Sequence, residues 1–150
     1  MSAPLRSLAQ AVATVAGVGH LRPAPGTWGS LAALPLAWAL HLAGGFPVLL
    51  IGLALAFFGG WWATGVVTRG ADDHDPSEVV IDEVAGQFIA LLPLSYSAWK
   101  MDLAITALWP GWIAALLLFR LFDITKPGLI GWADRRGDAL GVMLDDVIAG

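Results

Sequence analysis

No Lys, Arg, Asp or Glu occurs between Arg22 and Arg69. A bilayer core of ~30 Å is crossed by a helix of ~20 apolar residues, so this stretch can cross one twice. Gly44, Gly45 and Pro47 interrupt it, which predicts a helical hairpin with arms Trp28–Leu42 and Phe46–Thr68. The second arm is long enough to span. The first is short and carries Pro35, which predicts a kink or partial insertion. Two further uncharged stretches follow, Val84–Trp99 and Leu103–Phe119. Both lie near the lower length limit and need tilt or extension into their flanks. Charged residues make up only 13% of the chain, against roughly 25% in an ordinary soluble domain. The mean hydropathy is +0.72. Eight Trp accompany a single Tyr, and Trp favours membrane–water interfaces. No period-2 pattern competes with the helical one. The expected fold is an all-α, multi-helix integral membrane bundle, and 150 residues suggest one domain.

Alternating passage of the four segments sorts the loops. One side receives the N-terminus through Thr27, then Arg69–Glu83, then Arg120–Asp138. The other receives only Leu42–Gly45 and Ser95–Asp102. Seven of the eight Lys and Arg then lie on the first side, Lys100 being the exception. With Asp145 and Asp146, which follow with no further crossing, eleven of the twelve Asp and Glu lie there too, all but Asp102, together with His20 and His74. The positive-inside rule makes that side cytoplasmic. The polar chemistry is thereby expected at one membrane face.

Several classes are excluded. A net charge of −4 argues against nucleic-acid binding, which needs clustered Lys and Arg. The absence of Cys removes disulfides, thiolate zinc sites and cysteine nucleophiles. No Asp-x-Asp-x-Thr/Val motif of the haloacid-dehalogenase type is present. The His–Arg–His pattern of lipid-phosphate phosphatases is missing, as is the spaced Asp pattern of CDP-alcohol transferases. Residues Leu5–Val18 make a poor signal peptide and read as a retained surface helix.

Four polar clusters remain. In Gly19-His20-Leu21-Arg22-Pro23-Ala24-Pro25-Gly26-Thr27 the prolines and Gly26 form a stiff turn, with Thr27 placed to cap the next helix. Backbone N–H groups at that helix start, beside His20 and Arg22, would suit a phosphate; a plain interfacial turn has the same composition. Asp75-Pro76-Ser77-Glu78 reads as an N-cap with a capping box ahead of Asp82-Glu83. Asp82 and Glu83 enter an apolar helix, which is costly unless they are paired, protonated or metal-bound; snorkelling toward headgroups is the bland alternative. Arg120, Asp123 and Lys126 recur at i, i+3 and i+6 on one helix side, ahead of the helix stop at Pro127-Gly128. They fit intrahelical ion pairs, or Asp123 as ligand or base with Arg120 and Lys126 on substrate oxyanions. Asp145-Asp146 repeats the acidic pair. Like-charge carboxylates gathered in a poor dielectric need a cation, and oxygen-only donors suit Mg²⁺ or Mn²⁺, one ion or two.

Three segments carry a resemblance: Pro25-Gly26-Thr27-Trp28-Gly29-Ser30-Leu31-Ala32-Ala33-Leu34-Pro35, Ile81-Asp82-Glu83-Val84-Ala85-Gly86, and Phe119-Arg120-Leu121-Phe122-Asp123-Ile124-Thr125-Lys126-Pro127 running on through Trp132-Ala133-Asp134-Arg135 to Asp145-Asp146-Val147-Ile148-Ala149-Gly150. In order and spacing the chain resembles the phosphatidylglycerophosphatase A family, Mg²⁺-dependent bacterial enzymes. The resemblance implies a lipid phosphatase of the inner membrane that converts phosphatidylglycerophosphate to phosphatidylglycerol and phosphate at the cytoplasmic face. It implies Mg²⁺ on Asp82, Glu83, Asp145 and Asp146. The catalytic set is then Asp123, Asp82 and Asp145, and His20, Arg22, Thr27, Arg120 and Lys126 bind substrate. Family members usually continue past Asp-Asp-Val-Ile-Ala-Gly with a last apolar helix; the single domain expected over 1–150 ends at Gly150 without it, either because the sequence is cut short there or because this enzyme lacks that span. Membrane lipids are the other expected partners, and a homo-oligomer is left open. The competing function is a small ion-coupled transporter using the carboxylates; a structural membrane subunit is a third.

Overall fold

A computed structural model describes residues 3–70, 73 and 75–150; His74 lies outside them. Its described residues form helices and connecting turns, with no strand among them. Helix α1, Ala3–Ala13, buries Ala9 and Ala13 and exposes Leu5 and Leu8, as a surface helix should. It stops short of Val18. The Thr14 hydroxyl donates to Gln10 O at 2.9 Å and accepts from Gly17 N at 3.1 Å, while Gly17 adopts φ 98. This local turn competes successfully with another helical turn.

Helix α2, Pro25–Val67, is the charge-free stretch, and Gly44-Gly45 break its backbone into arms 25–43 and 46–67. Gly45 has φ 70 and ψ −155, a conformation that an L side chain rarely takes. A straight helix would separate Leu40 and Gly52 by about 18 Å. Instead the Leu40 side chain lies over Gly52, so the arms fold back as a hairpin. Pro35 leaves the first arm helical, since Gly44 and Gly45 alone depart from helical backbone.

Helix α3, Ile81–Met101, lies against both arms, and α4, Trp109–Thr125, follows a 3₁₀ turn at Ile105–Leu108. These helices extend the two shorter apolar stretches into their flanks. Lys126, at φ 46, ends α4 ahead of Pro127. Two short helices complete the fold: α5, Leu129–Asp134, and α6, Ala139–Ala149, capped by Asp138, which accepts from Gly141 N at 2.7 Å. About half of the buried core is Ala, with Val66, Val79, Val84, Val142 and Ile81 beside the larger Leu49, Phe88, Leu91 and Met143. Small residues allow the helices close approach without a large hydrophobic mass.

The bundle has two unlike ends. At one, Gly45 meets Trp99, Phe46 stacks edge-on to Tyr96 with ring centroids 5.2 Å apart, and His41 Nδ1 lies 2.8 Å from Ser95 Oγ. At the other end the first turns of α2 and α3, the last turn of α4, and α6 converge. The outer surface between them is apolar, with Ile51, Leu55, Phe58, Leu117 and Ile124 all exposed. Two segments, Pro25–Val67 and Ile105–Thr125, are long and apolar enough to cross a membrane.

Candidate active site

The strip before α3 does not begin a helix at Asp75. Val80 donates its backbone N–H to Ala13 O at 2.9 Å, tying the strip to the end of α1. The helix therefore starts at Ile81, and Asp75 is a pocket-lining residue rather than an N-cap. Asp82 and Glu83 then fall in the first turn of α3. The helix dipole favours carboxylates there. The expected cap at Thr27 is likewise replaced: α2 begins at Pro25, with Ala24 at the N-cap position and no side-chain cap. Proline at the first helical position has its φ preset for the helix and lacks one of the N–H groups that a helix start leaves unpaired.

Helix α4 brings Arg120, Asp123 and Lys126 to the same end. Arg120 donates to Asp123 Oδ2 at 2.5 Å and lies 3.9 Å from Glu83 Oε1. Lys126 bonds Asp145 Oδ2 at 2.6 Å and also bonds Asp134. The intrahelical pair of the first reading exists between Arg120 and Asp123, and both cations also reach carboxylates outside α4. Asp145 and Asp146 lie on the last turns of α6, where the dipole disfavours negative charge. Like Asp82 and Asp123, both are buried.

The two acidic pairs meet although they are far apart in sequence. Asp82, Glu83 and Asp146 each offer an oxygen within 4.8 Å of the others, and Asp123, Asp145 and Asp146 do the same. Asp146 is common to both groups. Asp82 Oδ1, Glu83 Oε2 and Asp146 Oδ2 are buried without a hydrogen-bond partner among the described residues. Buried oxygens of this kind are costly unless something binds them. An oxygen-only donor set around a small gap fits a hard divalent cation.

Electrostatics outside the apolar spans agree. Burial pushes the Asp145 carboxyl up to about 6, against the opposing pull of Lys126. Asp146 is raised by burial first and then by the charges of Asp82 and Asp123. Asp75 is raised by burial as well, with Lys126 opposing. Burial alone would lower Lys126, but its bonds to Asp134 and Asp145 raise it overall.

These groups line a cavity of about 260 Å³, bounded by Ala24, Pro25, Gly26, Asp75, Ser77, Val79, Asp82, Glu83, Arg120, Asp123, Lys126, Asp145 and Asp146. Gly26 leaves room for the Glu83 carboxylate at the start of α2. A Cβ on it would collide with the Glu83 carboxylate and lie 3.2 Å from Arg120 Nη2. His20, Arg22 and Thr27 do not line the cavity. Arg22 stands at its rim, bonding Ser77 Oγ at 3.2 Å, while His20 is exposed and Thr27 is half-buried on α2. Asp75 and Asp134 are the polar groups that sequence reasoning missed as site residues. The Asp-Pro step at Asp75 signals a cap and a turn equally well, and Asp134 stands in a segment that carries the family resemblance without a pattern that assigns it a role.

The family model for phosphatidylglycerophosphatase A matches residues 11–150. A phosphatidylglycerophosphatase A of Haemophilus influenzae is 38% identical over 135 residues, covering 89% of this chain and 76% of that protein. One from Escherichia coli is 32% identical over 135 residues, covering 84% and 67%. A Bacteroides thetaiotaomicron protein, named provisionally as a phosphatidylinositol-3-phosphatase, is 36% identical over 144 residues, covering 93% and 84%. No solved structure matches.

Proposed function

Because the chain belongs to the phosphatidylglycerophosphatase A family, we propose that its carboxylate pocket hydrolyses the phosphomonoester of phosphatidylglycerophosphate, leaving phosphatidylglycerol and inorganic phosphate. The observation that carries this reading is the convergence of Asp82, Glu83, Asp123, Asp145 and Asp146 beside Arg120 and Lys126 at one end of an apolar bundle. A phosphate monoester is dianionic near neutral pH, and carboxylates alone would repel it. Arg120 and Lys126 supply guanidinium and ammonium donors for its oxygens. Arg22, at the rim, is placed to meet an approaching headgroup. Asp82, Glu83, Asp145 and Asp146 would hold Mg²⁺. That ion would offset phosphate charge and act as a Lewis acid toward its oxygens. Asp123 accepts a proton from the attacking water, whose oxygen bonds to phosphorus as the ester P–O bond breaks, and passes that proton to the departing glycerol oxygen, which leaves as the alcohol. The confinement of these groups to one end favours interfacial chemistry over an ion-coupled transporter, which would need carboxylates along a path through the bundle.

Phosphate release from phosphatidylglycerophosphate in mixed micelles is expected with Mg²⁺ and expected to fall to background with EDTA. Release unaffected by chelation removes the metal from this reading; no release under either condition removes the reaction.

The bundle is further read as multi-pass, with the pocket facing the cytoplasm of a bacterial inner membrane. The apolar outer surface and the two membrane-length segments support this. No native cysteine interferes with labelling. Ser77→Cys and Arg135→Cys are expected to react with an impermeant maleimide from the cytoplasmic side of oriented vesicles, and Lys100→Cys from the opposite side. Labelling of Ser77→Cys and Lys100→Cys from the same side overturns the topology.

A further inference from the structure

Two cavities adjoin the end of α2, and neither shares a lining residue with the carboxylate pocket. One, of about 250 Å³, lies between α1 and α2 and is lined by Arg6, Gln10, Val66, Val67 and Arg69. The other, of about 440 Å³, is lined by Phe58, Trp61, Trp62, Gly65, Val66 and Arg69. Val66 and Arg69 belong to both, so the two form one groove. Among the described residues neither Arg6 nor Arg69 pairs with a carboxylate. Positions 58, 62, 65 and 69 recur at i, i+4, i+7 and i+11, a single stripe of the second arm. Gly65 leaves a dip in that stripe: a Cβ there would meet Ala139 Cβ at 3.6 Å and nothing nearer among the described residues. Phe58, Trp61 and Trp62 stay exposed along it. Phe58 precedes Arg69 by eleven residues, a drop of about 16 Å at ~1.5 Å per residue. Half of a ~30 Å hydrocarbon core is about 15 Å. From its rim downward the groove therefore presents two guanidiniums, then indole rings, then a phenyl ring at the depth where an acyl chain ends.

We propose that this groove binds one anionic phospholipid at a site separate from the catalytic pocket. The proposal rests on the reading of the bundle as membrane-embedded and not on the reaction. The lipid phosphodiester lies between Arg6 and Arg69, with the Gln10 amide as a further donor, and one acyl chain runs over Gly65 past Trp62 to Phe58. Charge selects the occupant. Guanidiniums bind phosphate oxygens through paired, charge-assisted hydrogen bonds, and basic pockets beside membrane helices take anionic headgroups. A zwitterionic lipid carries its own ammonium, which the two arginines repel. Free phosphate would leave the apolar half of the groove unused. Indole rings at headgroup level are the ordinary companions of such a site.

The test reconstitutes the protein in nanodiscs of equal dioleoyl phosphatidylglycerol and dioleoyl phosphatidylcholine, then identifies by native mass spectrometry the lipid that stays bound in mild detergent. Retention of one phosphatidylglycerol is expected, and inorganic phosphate is expected not to displace it. Arg6→Gln and Arg69→Gln are each expected to weaken retention about fivefold, the worth of one basic side chain near an anionic surface. Arg135→Gln removes the same charge outside the groove and is expected to change nothing. Trp62→Ala is expected to weaken retention of the dioleoyl lipid and to spare dihexanoyl phosphatidylglycerol. Wild-type melting temperatures show that the variants are folded. Equal retention of the two lipids, displacement by inorganic phosphate, or an equal loss in Arg135→Gln overturns the site. Retention that survives Arg6→Gln and Arg69→Gln but is lost in Arg120→Gln places the lipid in the catalytic pocket and overturns it as well. A bound second copy of this chain in place of lipid does the same. Each of these outcomes leaves the membrane reading standing; wild-type protein that fails to enter nanodiscs overturns both.

Discussion

Asp146→Asn is expected to lower kcat/KM by about a hundred- to a thousandfold and, in metal-free protein, to raise the melting temperature. The residue is 2% exposed and belongs to both oxygen clusters. Losing its charge removes a donor from either half of the site. Metal-ion charge stabilisation is worth several kcal/mol, and each ~1.4 kcal/mol is tenfold in rate. The gain in stability has the opposite origin. Burial and the charges of Asp82 and Asp123 raise the Asp146 pKa above its unfolded value. The sign follows from linkage: such a group stabilises the fold at low pH, and that contribution is lost as pH rises through the folded pKa. At pH values above the unfolded carboxyl pKa the group is therefore a burden in the metal-free protein. The amide is nearly isosteric and has no charge to desolvate. Each kcal/mol recovered raises the melting temperature of a chain this size by about 2–4 °C. Thermal unfolding in EDTA, alongside Mg²⁺ titration of activity, checks both directions. A folded variant with wild-type kcat/KM and wild-type Mg²⁺ dependence would refute the metal site.

Gly86→Ala is expected to lower the melting temperature by about 4–8 °C, from about 2 kcal/mol of overpacking at about 2–4 °C per kcal/mol. A Cβ at Gly86 would lie 2.6 Å from the backbone oxygen of Asp146 and 2.7 Å from Phe119 Cζ. The first contact is with backbone, so relief requires α6 to move off α3. That motion carries Asp145 and Asp146 away from Asp82 and Glu83, and activity is expected to fall with stability. Gly59→Ala supplies the contrast, because nothing lies within 4 Å of the added carbon. Within a helix that change is expected to be neutral or to stabilise by up to about 1 kcal/mol. Equal melting temperatures for Gly86→Ala and wild type would show that α6 docks less tightly than the structure indicates.

The charge-free stretch and its glycine break made the hairpin legible, because no water-exposed structure tolerates such a run and Gly45 alone supplies the positive φ. Convergence of the acidic pairs was legible on electrostatic grounds, since neither pair is stable alone in an apolar setting. Local capping rules failed at Asp75 and Thr27 for a shared reason. Such rules weigh the backbone needs of one segment, whereas Val80 is committed to Ala13 and Pro25 pre-empts the cap. The place of Asp134 depends on the path of α5, which brings it to Lys126 only in three dimensions. Gln87 is fully buried with both side-chain polar atoms unpartnered among the described residues. No pattern in the surrounding helix marks it.

Arg120 and Lys126 give the pocket internal counter-ions. A nascent chain entering a bilayer has no guarantee of meeting a divalent ion while its helices assemble. Without those two side chains, docking α6 against α3 would bring bare anions together in a medium that screens them poorly. With them, the helices can close on partly neutralised carboxylates, and the unpartnered oxygens of Asp82, Glu83 and Asp146 would remain open to a divalent ion afterwards. Assembly would then be separable from metal loading, and on the proposed Mg²⁺ reading a chelated enzyme is expected to recover when metal is returned, without refolding.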